Sequence, residues 1–324
     1  MSKSNEPEIL ILSSLYDFST DLVCLELRRR DVDYLRLNRE NLQDFRISLD
    51  PLVPNLLVHI EGSTYEIGSR LKSIWFRQPV FLRNTPAEPL SPNEQLERSQ
   101  WTAFLRGISV FDEVGWLNYP ARTYLAESKP YQLYIAAKCG FNVPKTCISN
   151  DVQEIKTQFH NLVAIKSLDT VLIHEGSEYL FTYTSVMDTS DISAEISQSV
   201  PVTTQMLLKD KVDIRVTIIG HEVYSVKILT SGQGIDGDWR LIPHEYLQFL
   251  DFQLSEKLHQ MCLKFMQKLG LSYAAIDLIE TGESIYFIEV NPTGEWGWLN
   301  QNTRPIATTI ASWLENPTNH KKVF

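Results

Sequence analysis

The chain reads as an α/β protein, and three observations predict that class. The opening apolar run from Glu8 to Ser13 is followed by a helical stretch and then by a second apolar run from Val32 to Leu37, the spacing of an α/β unit. Further β-branched runs recur through the chain and are interrupted by an amphipathic helix with apolar positions at Leu254, Leu258, Met261, Cys262, Phe265 and Leu269. Near the C-terminus two apolar runs, SYAAIDLIE and SIYFIEVNP, flank Thr281-Gly282-Glu283-Ser284, which reads as a hairpin connection.

The elements follow in order. Ser19 is a suitable N-cap for the first helix, and Asp21 suits the positive end of its dipole. Strands are expected at Asn55 to Ile60, Thr64 to Ile67 and Ser73 to Arg77, with Glu61-Gly62-Ser63 as a turn. A Pro-rich polar stretch, FLRNTPAEPLSPNEQ, leads into a helix at Ser91-Pro92-Asn93-Glu94, where Ser, Pro and Glu stand at cap, first and third positions. Its apolar face uses Leu96, Trp101, Phe104, Leu105 and Ile108. Lys129 to Cys139 forms a helix stopped by Gly140, and Val163 to Lys166 a strand. Leu168 to Ser185 reads as a hairpin around Glu175-Gly176-Ser177-Glu178, and strands follow at Thr203 to Leu208, Ile214 to Ile219 and Val223 to Leu229. Three lobes are expected: residues 1–117 as an N-terminal α/β lobe, 118–201 as a central lobe and 202–324 as a C-terminal lobe.

Composition excludes several functions. The 43% hydrophobic content supplies a core for 324 residues, yet no run approaches a membrane span and MSKSNEPEIL lacks the apolar stretch of a signal peptide. A cytoplasmic protein without a membrane partner is therefore expected. The formal charge of −10 argues against a nucleic-acid partner, which needs a basic surface. Cys24, Cys139, Cys147 and Cys262 are widely spaced, which suggests reduced thiols rather than a disulfide framework or zinc site. A homodimer is left open.

The hairpin carries the chemistry. Folding its strands together brings Asp277 within about one residue of a position opposite Glu289, and the two-residue period of a strand puts Asn291 on the same face. Acids inside such apolar runs are costly to bury without a partner. Three hard oxygen-bearing side chains at one spot suit Mg²⁺, which takes one or two carboxylates and leaves its other positions to water and substrate phosphates. Lys166 ends an apolar strand and Lys129 begins a helix, so either ammonium is a candidate for an ATP phosphate. Asp213 and Arg215 share one strand face, and Arg240 follows in Gly237-Asp238-Trp239-Arg240. Two guanidinium groups with a lysine and Mg²⁺ make a phosphoryl-transfer clamp.

Gly232 to Gly237 matches GxGxxG, but Asp236 and Asp238 would repel a pyrophosphate and no glycine-capped helix opens there, so a loop is expected. Trp296 and Trp298 read as core or wall residues.

In the order Lys166, Thr204 to Leu208, Asp213-Ile214-Arg215, Arg240, Asp277 and Glu289-Val290-Asn291, the chain resembles the ATP-grasp superfamily over roughly residues 120 to 315. Within it, WFRQP, DIRVTIIG and AAIDLI with IYFIEVNPTGEWGWL resemble the graspetide, or microviridin-type, macrocyclases, close to RimK-like ligases. The resemblance implies an ATP-grasp fold with ATP and Mg²⁺ as cofactors. It also implies a precursor peptide, with leader and core, as partner, whose Asp or Glu side chains are activated as acyl phosphates and closed into ω-ester or ω-amide rings. It places Lys166 at an ATP phosphate, the Met206 and Leu207 backbone at adenine, and Asp213 near the ribose. Arg215 and Arg240 then face the transferred phosphate, and Asp277, Glu289 and Asn291 hold Mg²⁺. Where a Gly-rich phosphate lid is common, SLDTVLIHEGSEYLFTYT is apolar and aromatic, which suggests Phe181 and Tyr183 as contacts for the peptide leader. The alternatives are a RimK-like ligase adding amino acids to a carboxylate, and a peptide-binding protein that keeps the fold without turnover.

Overall fold

The computed structural model describes residues 5–77, 79, 90–168, 172–175, 178–181, 184–192 and 200–317. β1 (Ile9–Ser13), α1 (Phe18–Arg29) and β2 (Tyr34–Asn38) open the chain, then β3 (Arg46–Asp50), β4 (Asn55–Ile60), β5 (Ser63–Ile67) and β6 (Ser73–Phe76). After α2 (Pro92–Gly107) come β7 (Gly115–Leu117), α3 (Pro120–Ala126), α4 (Lys129–Cys139), β8 (Thr146–Ser149), α5 (Val152–Gln158) and β9 (Leu162–Lys166). β10 (Leu172–Glu175), β11 (Glu178–Phe181), β12 (Ser185–Asp188) and β13 (Val202–Met206) lead to β14 (Lys211–Ile219), β15 (Glu222–Thr230) and β16 (Leu247–Asp251). The chain closes with α6 (Glu256–Leu269), β17 (Tyr273–Thr281), β18 (Ser284–Asn291) and α7 (Ile306–Glu315).

The α/β class holds. β2, β1, β6 and β7 form a parallel sheet in that order, and β3, β4 and β5 a small antiparallel one. Two further antiparallel sheets, β12-β9-β13-β8 and β16-β15-β14-β17-β18, position the site. The expected hairpin after Leu168 is present as β10 paired with β11, from Leu172 opposite Phe181 to Glu175 opposite Glu178. Tyr183 lies outside the described residues, as does the Phe181 side chain.

Local sequence explains most boundaries. Ser91 and Glu94 make the reciprocal capping box expected for α2, and Pro92 opens it. Gly140 and Gly270 stop α4 and α6 in the left-handed region, where a side chain would be strained. The cap of α1 differs from expectation. Asp17, not Ser19, is the N-cap and accepts from the Thr20 backbone N–H, so Ser19 stands inside the first turn. Asp17 leads because its carboxylate also accepts from the Thr20 hydroxyl at 2.8 Å, while the Ser19 hydroxyl turns away to Glu295.

One core crosses the expected lobe boundaries. Ile9, Ile11, Val23 and Leu27 of the first α/β unit pack in the same buried cluster as Val226, Ile228, Trp296, Ile310 and Leu314. A second cluster fills the space between α4, α6 and the β14-β17-β18 sheet, with Phe141, Phe265 and Phe287 in mutual ring contact. All four cysteines are buried free thiols. No helix among the described residues is long and apolar enough to cross a membrane.

Candidate active site

A cleft of about 370 Å³ lies between the β9-β13 face and the β14-β17-β18 sheet. One wall presents Lys166, Gln205, Met206, Leu207 and Leu208, the other Asp213, Asp277 and Glu289, and Lys129 and Arg240 also line it beside Glu289. The resemblance grouped these residues from Lys166 onward, the start of a helix suggested Lys129, and folding brings them to one place.

The hairpin behaves as its composition predicts. Thr281 pairs with Ser284, leaving the two-residue turn Gly282-Glu283, and Gly282 takes a φ of +56°, as the first central position of a II′ turn requires. Asp277 pairs directly with Glu289, and Asn291 pairs with Ala275. A bulge shifts the register between Asp277 and Leu278, so that Ile288 and Glu289 both line the cleft. Asn291 Nδ2 lies 3.3 Å from Asp277 Oδ2 and 3.4 Å from Glu289 Oε1, so the three side chains converge.

β18 is an edge strand of its sheet, and the edge beside the acids is closed by a residue that sequence reasoning missed. The buried Gln132 amide on α4 accepts from the Val290 N–H at 3.0 Å and donates to the Val290 carbonyl at 2.9 Å, standing in for a neighbouring strand between Glu289 and Asn291. Its place one turn along from Lys129 is the only signal a sequence offers. Two residues beyond Val290, Asn118 ties the start of β17 to the end of β18, donating to the Tyr273 and Pro292 carbonyls and accepting from the Ser272 and Tyr273 N–H groups.

Charge within the cleft is unevenly balanced. Burial, with Glu289 alongside, raises the Asp277 carboxyl above the ordinary carboxylate range even though Arg215 opposes this. Burial would also raise Glu289, but Lys129, Arg240 and Lys166 outweigh it and hold that carboxyl low. Lys129 Nζ and Arg240 Nη1 each stand 3.8 Å from Glu289. Burial lowers the Lys166 pKa, and its ammonium donates to Gln205 Oε1 at 3.1 Å. Burial raises Asp213, whose partner is Lys211.

The two arginines are placed differently. Arg240 is held by Asp238 through Nε and Nη2, at 2.9 and 2.7 Å, which leaves Nη1 aimed towards Glu289. Asp238 caps the short helical turn Trp239–Leu241, and the GxGxxG segment before it is a loop, as expected. Arg215, expected to face the transferred phosphate, is buried and paired across the sheet with Asp277. Its Nη1 donates to both Asp277 oxygens at 2.7 Å, and its Nη2 donates to the Glu295 carbonyl at 3.3 Å. Trp296 is fully buried, and Trp298 stacks on Phe249 with ring centres 4.5 Å apart, as wall residues should.

The donor set fits Mg²⁺. Asp277 and Glu289 line the cleft with the Asn291 amide against both, a set rich in hard oxygen atoms, and a carboxyl raised by burial beside a second carboxylate is one that a divalent cation would relieve. Among the described residues no cluster of three or more His, Cys, Asp or Glu occurs; the acids that meet here are the pair Asp277 and Glu289, with the Asn291 amide against both.

Residues 126–314, more than half of the chain, match the RimK-like ATP-grasp domain. A stretch of 89 residues is 29% identical to the tetrahydromethanopterin:α-L-glutamate ligase of Methanocaldococcus jannaschii, covering 28% of this chain and 29% of that relative, so less than a third of either is matched. The fold is similar over nearly the whole chain to a Chryseobacterium gregarium RiPP-associated ATP-grasp ligase in complex with ADP and a leader and core peptide. There the TM-score is 0.83 and identity 24%, covering 96% of each chain. It is also similar to the macrocyclase MdnC of Microcystis aeruginosa bound with its precursor peptide MdnA, with TM-score 0.79 and 22% identity over 95% of this chain and 99% of that one. The ATP-grasp ligase PsnB, complexed with minimal precursor, Mg and ADP, gives a TM-score of 0.72 at 17% identity, covering 95% of this chain and 97% of that one. With the matched domain enclosing the cleft from α4 to the β17–β18 hairpin, the chain belongs to the RimK-like ATP-grasp family of ATP-dependent ligases.

Proposed function

We propose that this protein is a cytoplasmic ligase that activates Asp or Glu side chains of a ribosomally made precursor peptide and closes them into macrocycles. The observation that carries this reading is the likeness to a peptide-bound ligase over 96% of the chain, which therefore extends well beyond the family's matched domain at residues 126–314. In this reading the three expected lobes divide the work: the N-terminal lobe meets peptide, and the other two clasp ATP between them.

The residues then take definite roles. Met206 and Leu207 flank adenine, Asp213 meets the ribose, and Lys166 with Lys129 contacts the phosphates. Asp277, Glu289 and Asn291 hold Mg²⁺, which when bound supplies charge neutralisation at the phosphates. A carboxylate oxygen of the peptide attacks the γ-phosphorus, the bond to the β-phosphate oxygen breaks, and ADP leaves. Arg240 Nη1, steadied by Asp238, stabilises charge on the transferred group. A Ser or Thr hydroxyl of the same peptide, or a Lys amine, then attacks the acyl carbon. The C–O bond to phosphate breaks, inorganic phosphate leaves, and the nucleophile's proton passes to solvent. Phe181 and Tyr183 are assigned to the leader.

Hydroxylamine tests the activation step. Added with ATP, Mg²⁺ and precursor peptide, it is expected to intercept the acyl phosphate and leave hydroxamates at Asp or Glu side chains of the core. Peptide consumed with ADP release but no hydroxamate at any side-chain carboxyl would contradict this assignment.

A further inference from the structure

The WFRQP stretch has no role in the mechanism above, yet its Arg77 is among the most completely buried charged residues of the molecule, at 1% exposure. It stands just past β6, a strand of the N-terminal parallel sheet, and gathers four partners, the most distant being the Gly294 carbonyl at 3.4 Å from Nη1. Its Nε is 2.9 Å from Asp17 Oδ2, its Nη2 is 2.8 Å from Glu295 Oε2, and its Nη1 donates to the Thr293 carbonyl. Asp17 is fixed in turn as the α1 cap and by the Thr20 hydroxyl. The guanidinium therefore ties the first strand–helix unit to the segment 292–297, which follows the β17–β18 hairpin.

Glu295 continues the chain of contacts. Its Oε1 accepts from Ser19 and from the Trp296 and Gly297 N–H groups at 3.0 and 2.9 Å. Although burial acts to raise it, Arg77 and these donors hold the carboxyl below its usual range, which suits a fixed anchor and not a proton acceptor. Its backbone carbonyl receives Arg215 Nη2, and Arg215 holds both oxygens of Asp277. The segment has no slack. A Cβ on Gly294 would stand 2.7 Å from the Ala275 Cβ, and the Gly294 carbonyl accepts from the Tyr273 hydroxyl at 2.6 Å.

We infer that Arg77 and Glu295 are positioning residues for the ligase reaction: together they brace segment 292–297, so that the Glu295 carbonyl orients Arg215 and Arg215 in turn fixes Asp277. The N-terminal lobe thereby sets the geometry of the metal end of the cleft without touching it. The inference rests on the ligase reading above for the role of Asp277.

Two variants test the brace. Arg77→Lys keeps a charge but cannot reach Asp17, Glu295 and the Thr293 carbonyl together, and Glu295→Gln removes the carboxylate from a half-exposed side chain with little risk to folding. Each is expected to lower kcat about tenfold or more, with KM for ATP within about threefold of the parent, because the adenine and ribose ends of the cleft are untouched. Combined with Arg215→Lys, either should add less than about twofold to the loss from Arg215→Lys alone, since all three act through one path. Amide exchange across 292–297 in Arg77→Lys, measured without substrate, should quicken about tenfold or more. Parent-like kcat in both variants, or losses that multiply with that of Arg215→Lys, would overturn the brace. If the parent enzyme joins no peptide, the peptide reading fails instead, and unchanged exchange across 292–297 then rejects the brace by itself.

Discussion

Glu289→Gln and Asp277→Asn are each expected to lower product formation by about 10³-fold or more, because each removes one of the two paired carboxylates proposed to hold Mg²⁺. The variants should differ in stability. Glu289 faces its cationic neighbours, Lys129 and Arg240, at 3.8 Å, so its loss should leave folding close to the parent. Asp277 is the bidentate partner of a buried arginine, and its replacement leaves the Arg215 guanidinium bonded only to neutral oxygens, without a paired carboxylate, which should cost about 3 kcal/mol or more. Thermal unfolding beside steady-state assays at saturating Mg²⁺ and ATP checks both points. Near-parent turnover in Glu289→Gln would remove the metal assignment without any ambiguity from folding.

Arg215→Lys should lower kcat by about 10²-fold, comparable to losing one preorganised donor. The reason differs from the one its sequence position suggests. An ammonium keeps the charge but lacks the planar fork that here spans Asp277 and the Glu295 carbonyl, so the carboxylate is held less rigidly. The Mg²⁺ concentration needed for half-maximal rate should therefore rise along with the fall in kcat. A fall in kcat with an unchanged Mg²⁺ requirement would mean that Arg215 acts on the phosphate directly, and parent-like turnover would leave it an ordinary ion-pair partner.

The β17–β18 hairpin was legible because its signals are local. Two apolar runs, a Gly-containing turn and acids at odd places in a strand pattern suffice to set Asp277 opposite Glu289. The same holds for α2, whose Ser91 and Glu94 lie three residues apart. Contacts that decide orientation were not legible. Arg215 turns to Asp277 because β14 and β17 pair in a register that places them opposite, and neither strand alone carries that information. Arg77 meets Glu295 across 218 positions, and Gln132 meets Val290 across 158. Ser19 looked like a cap by type, yet Asp17 has the stronger acceptor and Ser19 is drawn off by Glu295. Short elements were also missed: β7 has three residues, too few for any period to show, and α7 has no side-chain cap and is held by burying Ile306, Ile310 and Leu314.

Mass spectrometry of the precursor peptide after incubation with the enzyme, ATP and Mg²⁺ tests the central claim most directly. The account predicts a product lighter than the peptide by one water for each ring, resistant to complete fragmentation within the core, with one ADP released per water lost. A product heavier by an added amino acid, or ADP release with the peptide mass unchanged, would contradict intramolecular ring closure.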